Sequence, residues 1–82
     1  MMQEPYNTQF MREWDEARAK MNRGELREAL GHADKSLLII MGRLDQDPTH
    51  QGLHCRRLEA QRLCAQLRLA IHTKNKTMSD EQ

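Results

Sequence analysis

The stretch LREALGHADKSLLIIMGRL, residues 26 to 44, decides the fold of this chain. Its apolar residues recur at spacings of four, three, four, three and four, the heptad-like pattern of a long amphipathic helix. They are Leu26, Leu30, Ala33, Leu37, Ile40 and Leu44. The pattern predicts a helix over about residues 25–45, and this is the best-determined element of the chain.

A first helix is predicted upstream, over about residues 8–22. Asn7 or Thr8 can cap it by accepting a free backbone N–H, and Gly24 suits the left-handed position just past its end. One face of this helix carries apolar residues at spacings of four, three and four, namely Phe10, Trp14, Ala17 and Met21. The sequence does not say whether this face packs on its own chain or on a partner.

A third helix is predicted downstream, over about residues 48–72. Asp47 is expected to cap it, and Pro48 to occupy its first position, where the missing N–H costs nothing. Residues 1–7 are expected to be a flexible N-terminus, and residues 73–82 a disordered polar tail. Residues 8–72 then form a single helical domain.

The composition favours an all-α fold. Val is absent from the 82 residues, whereas helix formers such as Leu, Ala, Arg, Glu and Gln abound. Short connections favour antiparallel neighbours. We therefore predict a three-helix up-down-up arrangement, or a long hairpin of the second and third helices with the first helix packed across it.

Charge and cysteine content narrow the class of protein. The net charge of +1 argues against a protein built mainly to neutralise phosphates. Cys55 and Cys64 lie on one predicted helix and cannot reach each other without unwinding it. The longest apolar run, from Leu37 to Met41, is too short to span a bilayer. Free thiols without an export signal suggest a cytoplasmic protein with no membrane contact.

Two of the predicted helices carry more apolar surface than one neighbour covers. The run from Leu37 to Met41 passes all the way round the second helix, and the third helix has a second apolar stripe opposite its main one. Either these second faces are core in a well-packed bundle, or they are an interface. On the interface interpretation, the predicted partner-binding residues are Leu38, Ile39, Gly42, Leu58, Arg62, Ala65 and Leu69.

Neither catalysis nor a cofactor is predicted. His50 and His54 have a spacing that allows two imidazoles to share a metal ion, but no third ligand is in place, so we expect surface histidines and no metal site. Cys64 belongs to the main apolar stripe, where a thiol behaves as a small hydrophobic group. The sequence contains no Gly-rich phosphate loop.

Two local resemblances accompany these features. The segment from residue 17 to residue 33, with its RGELREAL turn, resembles the helix-turn-helix joint of a tetratricopeptide repeat or of a microtubule-interacting-and-trafficking domain, as a shared solution to close helix packing. The Asp47-Pro48 loop is similar to that of the helical-hairpin co-chaperones of bacterial type III secretion. The second resemblance implies a partner helix held in the hairpin groove.

The sequence thus predicts a small helical protein-protein interaction module, acting as an adaptor, co-chaperone or inhibitor, that pairs with itself as a homodimer or with another protein. The alternative is a small dimeric nucleic-acid-binding regulator that uses Arg57, Arg62 and Arg68 of the basic third helix. Salt dependence separates them, because phosphate binding weakens steeply with salt and apolar helix pairing does not.

Overall fold

The computed structural model describes the backbone of residues 6–80 and the side chains of residues 7–74. Its elements are three α-helices in sequence: α1 (Tyr6–Asn22), α2 (Leu26–Gln46) and α3 (Gln51–Asp80). Helix α2 packs against both α1 and α3. The prediction of an all-α fold is confirmed, and α2 lies within one residue of its predicted bounds at each end.

The turn between α1 and α2 is closed by a Schellman motif. Gly24 has a φ of 80°, as its position after the helix predicted. The Gly24 N–H donates to the Met21 carbonyl oxygen, and the Glu25 N–H donates to that of Lys20, at 3.0 and 2.9 Å. These two bonds satisfy carbonyl groups that the end of α1 would otherwise leave unpaired.

Replacing Gly24 with alanine should lower the free energy of unfolding by about 1 to 2 kcal/mol, since an L side chain is strained at this φ. Gly31→Ala is the matched control, because it lies inside α2 and an added Cβ there meets nothing within 4 Å. The control should be stabilising by about 0.5 to 1 kcal/mol. Urea titrations followed by circular dichroism measure both, and equal effects of the two variants would contradict this account of the turn.

The connection between α2 and α3 differs from its prediction. Asp47 is the C-cap of α2, with its N–H donating to the Arg43 carbonyl oxygen at 3.0 Å. Residues 47–50 form a turn in which the His50 N–H donates to the Asp47 carbonyl oxygen at 3.3 Å. Pro48 therefore follows the first residue of a turn, where its fixed φ is equally favourable, and α3 begins only at Gln51.

The two ends of the chain also depart from their predicted boundaries. Helix α1 begins at Tyr6, so Asn7 and Thr8 lie inside it; residues 1–5 are outside the described residues. Helix α3 continues through Asp80, beyond the predicted end near residue 72 and into the predicted disordered tail. No glycine or proline follows Gly52, so nothing in the local sequence stops the helix. Residues 81 and 82 are outside the described residues.

The helices run antiparallel to their neighbours in sequence. Between α1 and α2, Lys20 pairs with Glu28 close to the turn, while Glu13 pairs with His32 further from it. Between α2 and α3, Leu44 and Arg57 line one cleft close to the turn, while Asp34 pairs with Arg68 further from it. The arrangement is therefore the up-down-up alternative of the prediction.

One face of α2 forms the centre of the core. Its buried residues are Ala29, Ala33, Ser36, Ile40 and Leu44. The small ones among them allow neighbouring helices to approach closely, and the buried Ser36 hydroxyl donates to the Ala33 carbonyl oxygen at 2.7 Å. Helix α3 supplies the opposite side of the core with Leu53, Ala60, Leu63, Cys64 and Leu67.

Helix α1 packs on its own chain. Phe10 and Ala17 are fully buried, and Trp14 and Met21 are half-buried against the core. The Phe10 and Trp14 rings stack with centroids 5.7 Å apart, and the Arg56 guanidinium of α3 lies 5.3 Å from the centre of the Phe10 ring. The sequence left open whether the apolar face of α1 packs on its own chain or on a partner, and its burial shows that it packs on its own chain.

None of the helices in the described part of the chain combines the length and the apolar character needed to cross a membrane.

Candidate functional site

The outward face of α3 carries a stripe of exposed residues at spacings of three, four, three, four and three. We call it the outer α3 stripe, and it consists of Cys55, Leu58, Arg62, Ala65, Leu69 and His72. Leu69 is 66% exposed and Leu58 is 48% exposed. Four of the predicted partner-binding residues, Leu58, Arg62, Ala65 and Leu69, therefore share one open helix face.

The position of this stripe follows from the helical period. Leu63 and Leu67 are buried with 4% or less of their surface exposed, and they fix which face of α3 meets the core. At 100° per residue, Leu58, Ala65 and Leu69 project from the other side of the helix. These apolar residues belong to no core cluster of the described residues.

The outward face of α2 is a second exposed apolar surface. Leu38 is 68% exposed, Met41 is 46% exposed, and Gly42 is exposed beside them. Ile39, however, is half-buried and packs against the core cluster that contains Phe10 and Ile40. Of the predicted partner-binding residues on α2, Ile39 is therefore less accessible than Leu38 and Gly42.

The three arginines of the nucleic-acid alternative have different surroundings. Arg68 pairs with Asp34 of α2 at 3.3 Å. Arg57 is half-buried, with its Nε atom buried and without a hydrogen-bond partner, in a cleft of about 240 Å³ at the α2–α3 turn. Arg62 projects from the outer α3 stripe. Of the three, one is thus ion-paired, one is half-buried and one lies on the exposed face of α3.

A buried thiol links α3 to α2. The Cys64 Sγ–H donates to Oδ1 of Asp34 at 3.3 Å, the same oxygen that accepts from Arg68. Burial in the core, then this hydrogen bond and the negative charge of Asp34, raise the pKa of the Cys64 thiol from its ordinary value near 9 to about 11. Cys64 is therefore a structural group that stays protonated at neutral pH.

At pH 8, iodoacetamide should alkylate Cys55, which is exposed, and leave Cys64 unmodified. Intact-mass spectrometry should find one adduct on the native chain and two in denaturant; two adducts on the native chain at equal rates would contradict the assignment.

Because the folded-state pKa of Cys64 is raised, its contribution to stability is present below about pH 9 and lost as the pH rises through about 11.

Each of the two histidines near the α2–α3 turn has a backbone partner. His50 Nδ1 accepts from the Leu53 N–H at 3.1 Å, which caps the start of α3, and the Nε2–H of His54 donates to the Pro48 carbonyl oxygen at 2.7 Å. Within the described part of the chain, no three His, Cys, Asp or Glu side chains are grouped to hold a metal ion. Through their bonds to Leu53 and Pro48, the two rings stabilise the turn and the start of α3.

Sequence reasoning missed the contacts that His32 and Arg56 make with α1. His32 Nδ1 and Glu13 Oε2 are 2.6 Å apart and mostly shielded from solvent. Arg56 covers the Phe10 ring and also donates to Met11 Sδ at 3.5 Å. The pattern within one helix gives no signal for such pairs, since they depend on how two helices align.

No protein-family model, no curated protein and no solved structure matches this chain.

Proposed function

We propose that this protein is a helical interaction module that binds a helix of a partner through the outer α3 stripe. The observation that carries the proposal is the exposure of Leu58, Ala65 and Leu69 along one face of a long helix. Such a module acts as an adaptor, a co-chaperone or an inhibitor, with another copy of the chain or a different protein as its partner.

Packing within the bundle does not explain why apolar residues occupy the exposed positions 58 and 69. Two core clusters already contain the buried apolar residues of α1, α2 and α3, and the stripe adds nothing to them. Full burial of one leucine side chain is worth about 1.5 to 3 kcal/mol, most of which Leu69 forgoes in the isolated chain. A partner that covers the stripe would recover that free energy.

The shape of the stripe suits a helix. It extends from Cys55 to His72, which is about 26 Å at 1.5 Å per residue. Helix-in-groove recognition uses apolar anchors at spacings of three, four and seven, and Leu58, Ala65 and Leu69 have spacings of seven and four. The exposed apolar surface on α2 is shorter, since it extends only from Leu38 to Gly42.

The experiment compares Leu69→Glu with Leu38→Glu, since these two leucines are exposed to nearly the same extent, 66% and 68%. Each variant and the wild-type chain are immobilised and exposed to an extract of the source cells. We expect Leu69→Glu to lose the proteins that the wild-type chain retains, including added copies of itself. We expect Leu38→Glu to retain them, because its charge lies outside the outer α3 stripe.

Circular dichroism of the variants serves as the control, and the helical signal should be unchanged by a charge at an exposed position. If Leu69→Glu and the wild-type chain retain the same proteins, the outer α3 stripe is not a binding face. Loss of the helical signal in Leu69→Glu would also overturn the proposal, because it would make Leu69 part of the core.

A further inference from the structure

We infer that the occupant of the outer α3 stripe is the same stripe of a second copy of the chain, running antiparallel. This inference rests on the function proposed above and names the partner. Residues along the stripe have spacings of three, four, three, four and three, as do the residues at the interface between the two helices of a coiled coil. A symmetric dimer uses one surface twice, so the stripe has to match itself.

The stripe matches itself when the two helices are placed about a two-fold axis level with the bond between Leu63 and Cys64. Leu58 then lies opposite Leu69 of the second copy, and Leu69 opposite its Leu58. In the middle, Arg62 lies opposite Ala65 of the second copy. The large apolar residues thus meet one another, and the longest side chain meets the smallest.

The charge of Arg62 selects this direction over the parallel one. A parallel pair in register would place Arg62 against Arg62 of the second copy at the centre of the seam, where like charges repel. In the antiparallel pair, Arg62 lies over the Ala65 methyl group, which leaves room for its aliphatic stem along the interface. The flanking residues add no like-charge contact, since Glu59 faces Gln66 of the second copy and Gln61 faces its Arg68.

The interface is short, with two leucines from each copy. It falls at the low end of the size range of specific interfaces, so we expect a reversible dimer with a Kd on the order of 0.1 mM. Light scattering on the wild-type chain should therefore give a mass that rises from monomer towards dimer between about 10 μM and 1 mM.

A pair of charge variants tests the central contact. Ala65→Arg places an arginine opposite Arg62 of the second copy and should weaken dimerisation at least about tenfold. Ala65→Glu introduces a charge of the opposite sign at the same exposed position and should leave the Kd unchanged or lower it. Equal weakening by both variants would overturn the pairing of Arg62 with Ala65.

Disulfide formation tests the direction. In the antiparallel pair, Cys55 lies opposite His72 of the second copy, while the two Cys55 residues are about 26 Å apart along the axis. In a glutathione buffer, His72→Cys should form a covalent dimer, and the wild-type chain should remain non-covalent. Crosslinking of the wild-type chain through Cys55 as readily as of the variant would overturn the antiparallel direction.

The outcomes for the two proposals are distinct. A wild-type chain that stays monomeric up to about 1 mM, with no disulfide in His72→Cys, would overturn self-pairing. If Leu69→Glu nevertheless loses proteins that the wild-type chain retains from an extract, the stripe binds a foreign helix and the proposed function stands. If neither self-pairing nor that loss is observed, both proposals fail.

Discussion

Leu67→Ala should lower the free energy of unfolding by about 2 to 5 kcal/mol, whereas Leu69→Ala should change it by less than about 0.5 kcal/mol. The two leucines are two positions apart on α3, yet Leu67 is fully buried and Leu69 is 66% exposed. Leu67 packs in a cluster with Ala17, Ala29 and Ala33, so its removal leaves a cavity among residues too small to fill it.

The comparison is made by urea unfolding at low micromolar concentration, where binding to a second copy adds nothing to stability. Both substitutions introduce alanine into a helix, so helix propensity changes equally in the two variants. A loss from Leu69→Ala as large as that from Leu67→Ala would contradict the account, because it would place the outer α3 stripe in the core of the folded chain.

Phe10→Ala should be the most destabilising substitution in α1, with a loss of about 3 to 5 kcal/mol. Phe10 is 1% exposed, packs in the cluster of Ile40 and Leu53, and stacks on Trp14. Its ring also lies beneath the Arg56 guanidinium, which joins α1 to α3. The substitution therefore removes core volume and two contacts of the aromatic ring at the same time.

Phe10→Leu is the control for ring contacts, since it retains most of the apolar volume and should cost less than the alanine variant. Trp14 is the only tryptophan of the chain, so its fluorescence reports directly on this region. Unfolding followed by fluorescence and by circular dichroism should give the same midpoint in each variant. An unchanged midpoint for Phe10→Ala would mean that α1 does not contribute to the core.

Much of the fold is readable from the sequence because helical periodicity records which face of each helix is covered. The seam of α2 predicted that Ala33, Ile40 and Leu44 are buried, and all three are. The conformation of Gly24 was also predictable, because glycine favours the left-handed position just past the end of a helix. The start of α3 was not, since Pro48 is as favourable in a turn as in the first turn of a helix.

Less of the candidate site could be predicted. The sequence separates a main and a second apolar stripe on α3 but does not say whether the second stripe is also buried when the helices assemble. The exposure of Leu58 and Leu69 emerges only once α1 and α2 are in place. The opposite holds for Ile39, which was predicted on an outward face and is half-buried against the cluster that contains Phe10.

Photo-crosslinking in the source cells tests the central claim most directly. A benzophenone amino acid replaces Gln66, which is exposed at the edge of the outer α3 stripe, and, as a control, Arg18, which is exposed on α1. We predict that irradiation yields a discrete heavier adduct from position 66, that adding Leu69→Glu removes it, and that position 18 yields none. Adducts of equal intensity from both positions, or none from position 66, would contradict a binding role for this face of α3.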